Sequence, residues 1–198
     1  MKQLLVFVLS TTFFFSCGGN TTSSTVKDTS SAKSNDEAKS TGGNSCCFQT
    51  EEEFKQFLPA ECGEVKEDKP GYASNLNCLK DPEDNSSATK IYVGPDGTRL
   101  SLQLRDYCAK RDRIQEDYNG RADRSKNDPV EHEYNEHTIA GVDKCYSHYS
   151  PKNKTVYVLA VIDGRFRVQI TGQQATSANY AVMLLKGLPL TELAKFGK

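Results

Sequence analysis

The sequence contains three histidines, His132, His137 and His148. Two of them stand in Glu131-His132-Glu133-Tyr134-Asn135-Glu136-His137, interleaved with carboxylates. On a helix, His132 and Glu136, or Glu133 and His137, would share a face and offer the nitrogen and oxygen donors that zinc takes. The spacing is not that of His-Glu-x-x-His, and Pro129 and Asn135 oppose a helix. A solvated charged loop is therefore the first expectation here, and a metal site at His132, Glu136 and His137 the second. Asp81 to Asn85 and Asp117 to Asp123 carry oxygen donors near turns, but neither follows the calcium-loop pattern that ends on a glutamate. Gly-x-Ser-x-Gly is absent, as is a glycine-rich phosphate loop, and spacing alone does not make catalysts of Asp106 and Asp112. The expectation is a non-catalytic chain without a cofactor.

Arg165 and Arg167 alternate with Phe166 and Val168, which places both arginines outward on a strand, with Arg99 and Arg105 on the exposed side of another. Together they would form a basic patch for a carboxylate or phosphate surface. Tyr134, Tyr146, Tyr149 and Tyr157 lie near these segments and suit a protein or glycan contact, or cover the edge of the core. The formal net charge of -1 argues against nucleic acid as a partner, since polyanion binding rests on a surplus of cations.

Seven cysteines are present, at 17, 46, 47, 62, 78, 108 and 145. With Cys17 set aside, Cys46, Cys47, Cys62, Cys78, Cys108 and Cys145 form an even set suited to structural disulfides in an oxidising compartment. There is no Cys-x-x-Cys, and the spacings match no zinc pattern. Connectivity stays open.

The N-terminus opens Met1-Lys2-Gln3 and runs on through an apolar stretch to Phe15, too short for a permanent membrane span and of the length a secretory signal uses. It ends at Ser16-Cys17, which resembles the lipobox of bacterial lipoproteins, although Phe14 and Phe15 depart from the motif's aliphatic and small residues. The resemblance implies cleavage after Ser16, acylation of Cys17 and attachment to a membrane. No aspartate follows Cys17, as in lipoproteins sent to the outer membrane. From Gly18 to Asn44 the chain is almost wholly small and polar, the composition of a flexible tether. The expected organisation is a signal peptide at 1–16, a lipidated tether at 17–44 and one domain at 45–198.

Within that domain, Thr50 and Glu53 form a capping-box pattern for a helix over Glu51 to Leu58, with Phe54, Phe57 and Leu58 on one side. Ala60 to Ser87 reads as irregular, disulfide-held structure. Lys90 to Val93 and Thr98 to Tyr107 form a hairpin around Gly94-Pro95-Asp96-Gly97, with Leu100, Leu102 and Leu104 on one face. Ala109 to Tyr118 suggests a short surface helix and Asn119 to Pro129 an exposed loop. Segments over Thr138 to Val142 and Lys144 to Tyr149 read as strand. Thr155 to Ile162 is apolar at nearly every position and reads as covered on both faces. Asp163-Gly164 then turns the chain into the alternating run Arg165 to Thr171. Helices over Ser177 to Lys186, stopped at Gly187, and Leu190 to Phe196 close the domain.

The pattern predicts an α+β fold: a curved antiparallel sheet of about four to six strands, helices packed on one face, supported by disulfides. The run from Thr155 through the terminal helix resembles small envelope lipoproteins of unassigned function, some with a Mog1/PsbP-like sheet. The expected role is an envelope lipoprotein that binds another protein or envelope component; a small-ligand or metal-binding lipoprotein, with enzymatic activity as a further option, is the alternative.

Overall fold

The computed structural model describes residues 48, 50–76, 85–108 and 110–198, all within one compact unit, Ser40–Lys198. Cys17, the leader, the tether, Cys46, Cys47, Cys78 and the acidic run 81–84 lie outside the described residues. Helix α1, Glu51–Lys55, starts on the expected capping box: Glu53 N–H donates to Thr50 Oγ1 and Thr50 N–H to Glu53 Oε2. It is shorter than predicted, turning after Gln56 so that Phe54, Phe57 and Leu58 are all buried.

Nine strands follow among the described residues: β1 (Glu61–Cys62), β2 (Val65–Glu67), β3 (Ala73–Leu76), β4 (Ser86–Val93), β5 (Arg99–Asp106), β6 (Glu133–Glu136), β7 (Lys144–Ser150), β8 (Thr155–Ile162) and β9 (Phe166–Gln173). All join one antiparallel sheet in the order β1-β2-β4-β5-β9-β8-β7-β6, with β3 also on β4. The expected sheet of four to six curved strands is thereby corrected. The stretch read as irregular contributes three short strands, and the sheet is open and uncurled, its ends β1 and β6 unpaired with each other. The short strands escaped because two to four residues carry too little alternation to read.

The β8–β9 hairpin turns at Asp163 and Gly164, both at φ 54°, the left-handed pair that matches the twist of adjoining strands. Register puts Leu100, Leu102 and Leu104 of β5, Val156, Val158 and Ala160 of β8, and Phe166, Val168 and Ile170 of β9 on one face. α1, α3 (Asn179–Lys186) and α4 (Leu190–Leu193) contribute to the same core. Gly172 sits in the middle of this layer. A β-carbon there would come within 2.6 Å of Val156 Cγ1 and 2.7 Å of Leu100 Cδ2. Gly172→Ala should therefore cost about 1–3 kcal/mol through overpacking, read as a lower urea midpoint; undiminished stability would contradict this packing.

The second face is not bare, so the prediction of helices on one face is also corrected. Helix α2, Arg111–Lys126, runs unbroken through the segment divided above into a short helix and a loop. It buries Ile114, Tyr118 and Ala122 against Tyr146, Leu159 and Val161. Those three residues recur every fourth position, so the apolar stripe is a single residue wide. Asp117 and Arg121, also four apart, pair at 2.8 Å, and Arg124 and Lys126 occupy the last turn, where cations complement the helix dipole.

Cys62 and Cys145 are free thiols, 2% and 3% exposed, which corrects the expectation that these two belong to the disulfide set supporting the fold. No disulfide joins two described cysteines. Both free residues serve as small apolar core groups: Cys62 packs so closely on Gly187 that a β-carbon there would lie 2.6 Å from its own. Burial pushes the Cys62 thiol up to about 11 and that of Cys145 up to about 12, so neither is a nucleophile at neutral pH.

Candidate functional site

The predicted basic patch does not form. Arg165 is fully buried, its Nε and Nη2 donating to the two oxygens of Asp106 at 2.8 and 2.7 Å. Arg165 Nη1 donates to the Phe196 carbonyl at 2.7 Å. Arg167, 4% exposed, reaches Asp117 of α2 and lies over Tyr107. The alternation of β9 is real, but Arg165 belongs to the turn rather than the strand, and the face that Arg167 occupies is covered by α2. Both arginines fasten the fold. Arg99, by contrast, is exposed as expected and pairs with Asp68 at 2.9 Å.

The histidine segment is β6 rather than a helix. An extended run separates residues four apart by roughly 13 Å, so His132 and Glu136 cannot share an ion bound at about 2 Å. Glu136 pairs with Lys126 at 2.7 Å, which holds its carboxyl below the usual range. His137 Nε2 meets Ser147 Oγ at 2.8 Å, and His132 Nδ1 meets the Val130 carbonyl at 2.8 Å. Among the described residues no group of three or more His, Cys, Asp or Glu is placed to hold a metal. Asp117, part of the second calcium candidate, is committed to Arg121 and Arg167.

What the structure does assemble is a groove of about 430 Å³ on the second face of the sheet, beyond the end of α2. Strand β8 explains its position. Leu159 and Val161 lie beneath α2, whereas Tyr157, two residues earlier on the same face, is half-buried at the edge of that cover, Thr155, four earlier, is exposed, and both line the groove. Register continues two rows across the neighbouring strands: His148, Tyr157, Thr171, Ser101 and Ile91 in one, and Ser150, Thr155, Gln173 and Arg99 in the other. Asn153, in the β7–β8 turn, and Asp128, just after α2, also line it. The sequence reading missed this site because it took β8 as covered throughout. The signal was available in the polar residues Thr155, Thr171 and Gln173, which alternate with core positions.

A smaller recess of about 220 Å³ shares Asp128, His148 and Tyr157 with the groove and adds Arg121, Ser125 and Tyr146 beneath the last turns of α2. His148 Nε2 is buried there without a hydrogen-bond partner, 3.6 Å from Asp128 Oδ2. Burial and the neighbouring His132, whose ring is 4.8 Å away, hold His148 below the ordinary imidazole range despite Asp128. The Tyr157 hydroxyl is also buried and completes no hydrogen bond, although Arg121 is close enough to act on it; burial outweighs that cation and raises its pKa.

His148 and the Tyr157 hydroxyl are therefore neutral at pH 7. Ser150 Oγ accepts from Asn153 N–H at 3.4 Å, and the lining hydroxyls of Ser101, Thr155 and Thr171 and the amides of Asn153 and Gln173 can each donate and accept hydrogen bonds.

The histidines also set a pH response. Burial lowers the pKa of both His137 and His148, helped by Lys186 in the first case. The unfolded chain, titrating at about 6.5, takes up protons before the folded one does. Their neutrality therefore stabilises fully above that value, and the contribution is lost as pH falls through it to the lower folded values. The urea midpoint should be lower at pH 5.5 than at pH 7.5, and the His137→Gln/His148→Gln double variant should show a smaller difference. Equal differences in parent and variant would rule this out.

Among the described residues no helix is long and apolar enough to cross a membrane. The chain matches no family model, no curated protein and no solved structure.

Proposed function

We propose that this chain is a non-catalytic, lipid-anchored envelope protein whose folded domain binds another envelope component in the groove over β5, β9 and β8. Export and anchoring rest on the apolar leader, Ser16-Cys17 and the polar tether that follows. Placement at the outer membrane rests on the residue after Cys17, which is glycine rather than aspartate. The observation that carries the binding role is the groove itself: a concave face on paired central strands, lined mostly by neutral hydrogen-bonding side chains. Pockets of a few hundred Å³ with convergent polar groups are where ligands bind.

Protein taken from its native membrane tests both halves. Its intact mass should correspond to a chain that starts at Cys17 and carries acyl groups; a chain retaining Met1 without them would refute the anchor. Chemical cross-linking in intact cells should join the wild-type chain to a component that Thr171→Trp, which fills the groove, no longer captures. Equal capture by both proteins would refute binding at this site.

A further inference from the structure

We infer that the groove takes an uncharged, hydroxyl-rich saccharide chain, an inference that rests on the binding role proposed above. The groove's own chemistry selects this class. Ser101, Ser150, Thr155 and Thr171 supply hydroxyls, and Asn153 and Gln173 supply amides. Each such group both donates and accepts, as sugar hydroxyls do. Arg99, the cation on this lining, is 2.9 Å from Asp68, and Asp128 faces His148, whose neutral ring does not offset the carboxylate. A sulfated or phosphorylated ligand would find no unpaired cation on this lining and would meet the Asp128 carboxylate.

Spacing favours a repeating ligand. Neighbouring strands lie about 4.8 Å apart, so Tyr157, Thr171 and Ser101 form a line of stations across β8, β9 and β5, with Thr155, Gln173 and Arg99 in a second line beside it. Tyr157 is half-buried at the groove and offers a flat apolar surface for the C–H face of a sugar. A peptide fits less well. β5, β9 and β8 are each paired on both sides and present no free backbone edge for strand addition.

Calorimetric titration of the full chain in detergent, with short oligosaccharides of glucose, galactose, mannose and N-acetylglucosamine and with their sulfated forms, tests the inference. At least one neutral series should bind, more tightly as the chain lengthens and no more weakly than its sulfated form. Thr155→Ala/Gln173→Ala should weaken it by about tenfold through two lost hydrogen bonds, with the thermal midpoint unchanged. Thr171→Trp should abolish it. No binding by any neutral series, or tighter binding of the sulfated forms, overturns the saccharide assignment. If the cross-linked component is then still lost in Thr171→Trp but is protein without glycan, the binding role stands and only the ligand class is wrong. If Thr171→Trp captures it equally, the binding role itself fails.

Discussion

Asp106→Ala should destabilise the domain by about 3–5 kcal/mol, because it strands a buried guanidinium. Asp106 and Arg165 are both fully buried, and the carboxylate takes further hydrogen bonds from Phe48 N–H at 3.3 Å and Cys108 N–H at 3.0 Å. Burial raises the Asp106 carboxyl above its ordinary value, while Arg165 and the two backbone donors oppose that rise. Donors converge on both oxygens, which suits the ionised form. The pair also joins distant parts of the chain. Asp106 holds Phe48 at the start of the described domain and Arg165 holds the Phe196 carbonyl near its end, with the two phenyl rings stacked at 4.5 Å. A loss of this size is a large share of the total stability of an ordinary domain, about 5–15 kcal/mol. Denaturant unfolding measures it, and hydrogen exchange should rise around Phe196. The double replacement Asp106→Leu/Arg165→Met should cost much less, because it removes both charges together. A loss below about 1 kcal/mol in Asp106→Ala would mean that water reaches the guanidinium and that the pair is not the fastening described.

Phe166→Ala should cost a comparable amount, about 3–5 kcal/mol, for a different reason. The ring is fully buried, lies 5.8 Å from Phe48 and carries the Arg165 guanidinium over its face at 4.4 Å. Truncation removes apolar area and leaves a cavity beside a charge that depends on tight packing. The contrast with Thr171→Ala, on the same strand but on the groove face, is the informative measurement. That residue is only half-buried, so its truncation should leave the unfolding midpoint almost unchanged. If Phe166→Ala unfolds at the parent's midpoint, the core face of β9 has been misassigned.

Much of the fold was legible along the chain. The capping box at Thr50 and Glu53, the β4–β5 hairpin, the Asp163-Gly164 turn and the terminal helices all depend on interactions within a few residues, and local sequence reports local interactions. α2 was read only in part. With one apolar residue per turn at Ile114, Tyr118 and Ala122, it carries little of the periodicity that marks an amphipathic helix. Its stability comes largely from the sheet it lies on and from Asp117 reaching Arg167, contacts that have no signature in a local window. Strands β1 to β3 were missed for a related reason, since runs of two to four residues are specified by their partner strand rather than by their own pattern.

The sites diverged more than the fold. His132, Glu136 and His137 are close in sequence, yet an extended backbone spreads them apart. Arg165 and Arg167 have the alternation of surface residues and are buried, because Asp106, fifty-nine positions away from Arg165, and Asp117 on α2 offer them partners. The groove gathers Ser101, Asp128, His148, Tyr157 and Thr171 from separate strands and a loop, and no spacing rule connects them.

By itself the sequence determined the local punctuation, the α+β class and the apolar faces of β5 and β9, because side-chain alternation and turn residues act over a few positions. Tertiary structure alone decided the number of strands, the free state of Cys62 and Cys145, and the burial of the two arginines. It also decided where α2 stops covering the sheet, and so where the groove lies. These depend on which distant segments meet, and a contact between residues far apart in the chain leaves its energy in both of them and its pattern in neither.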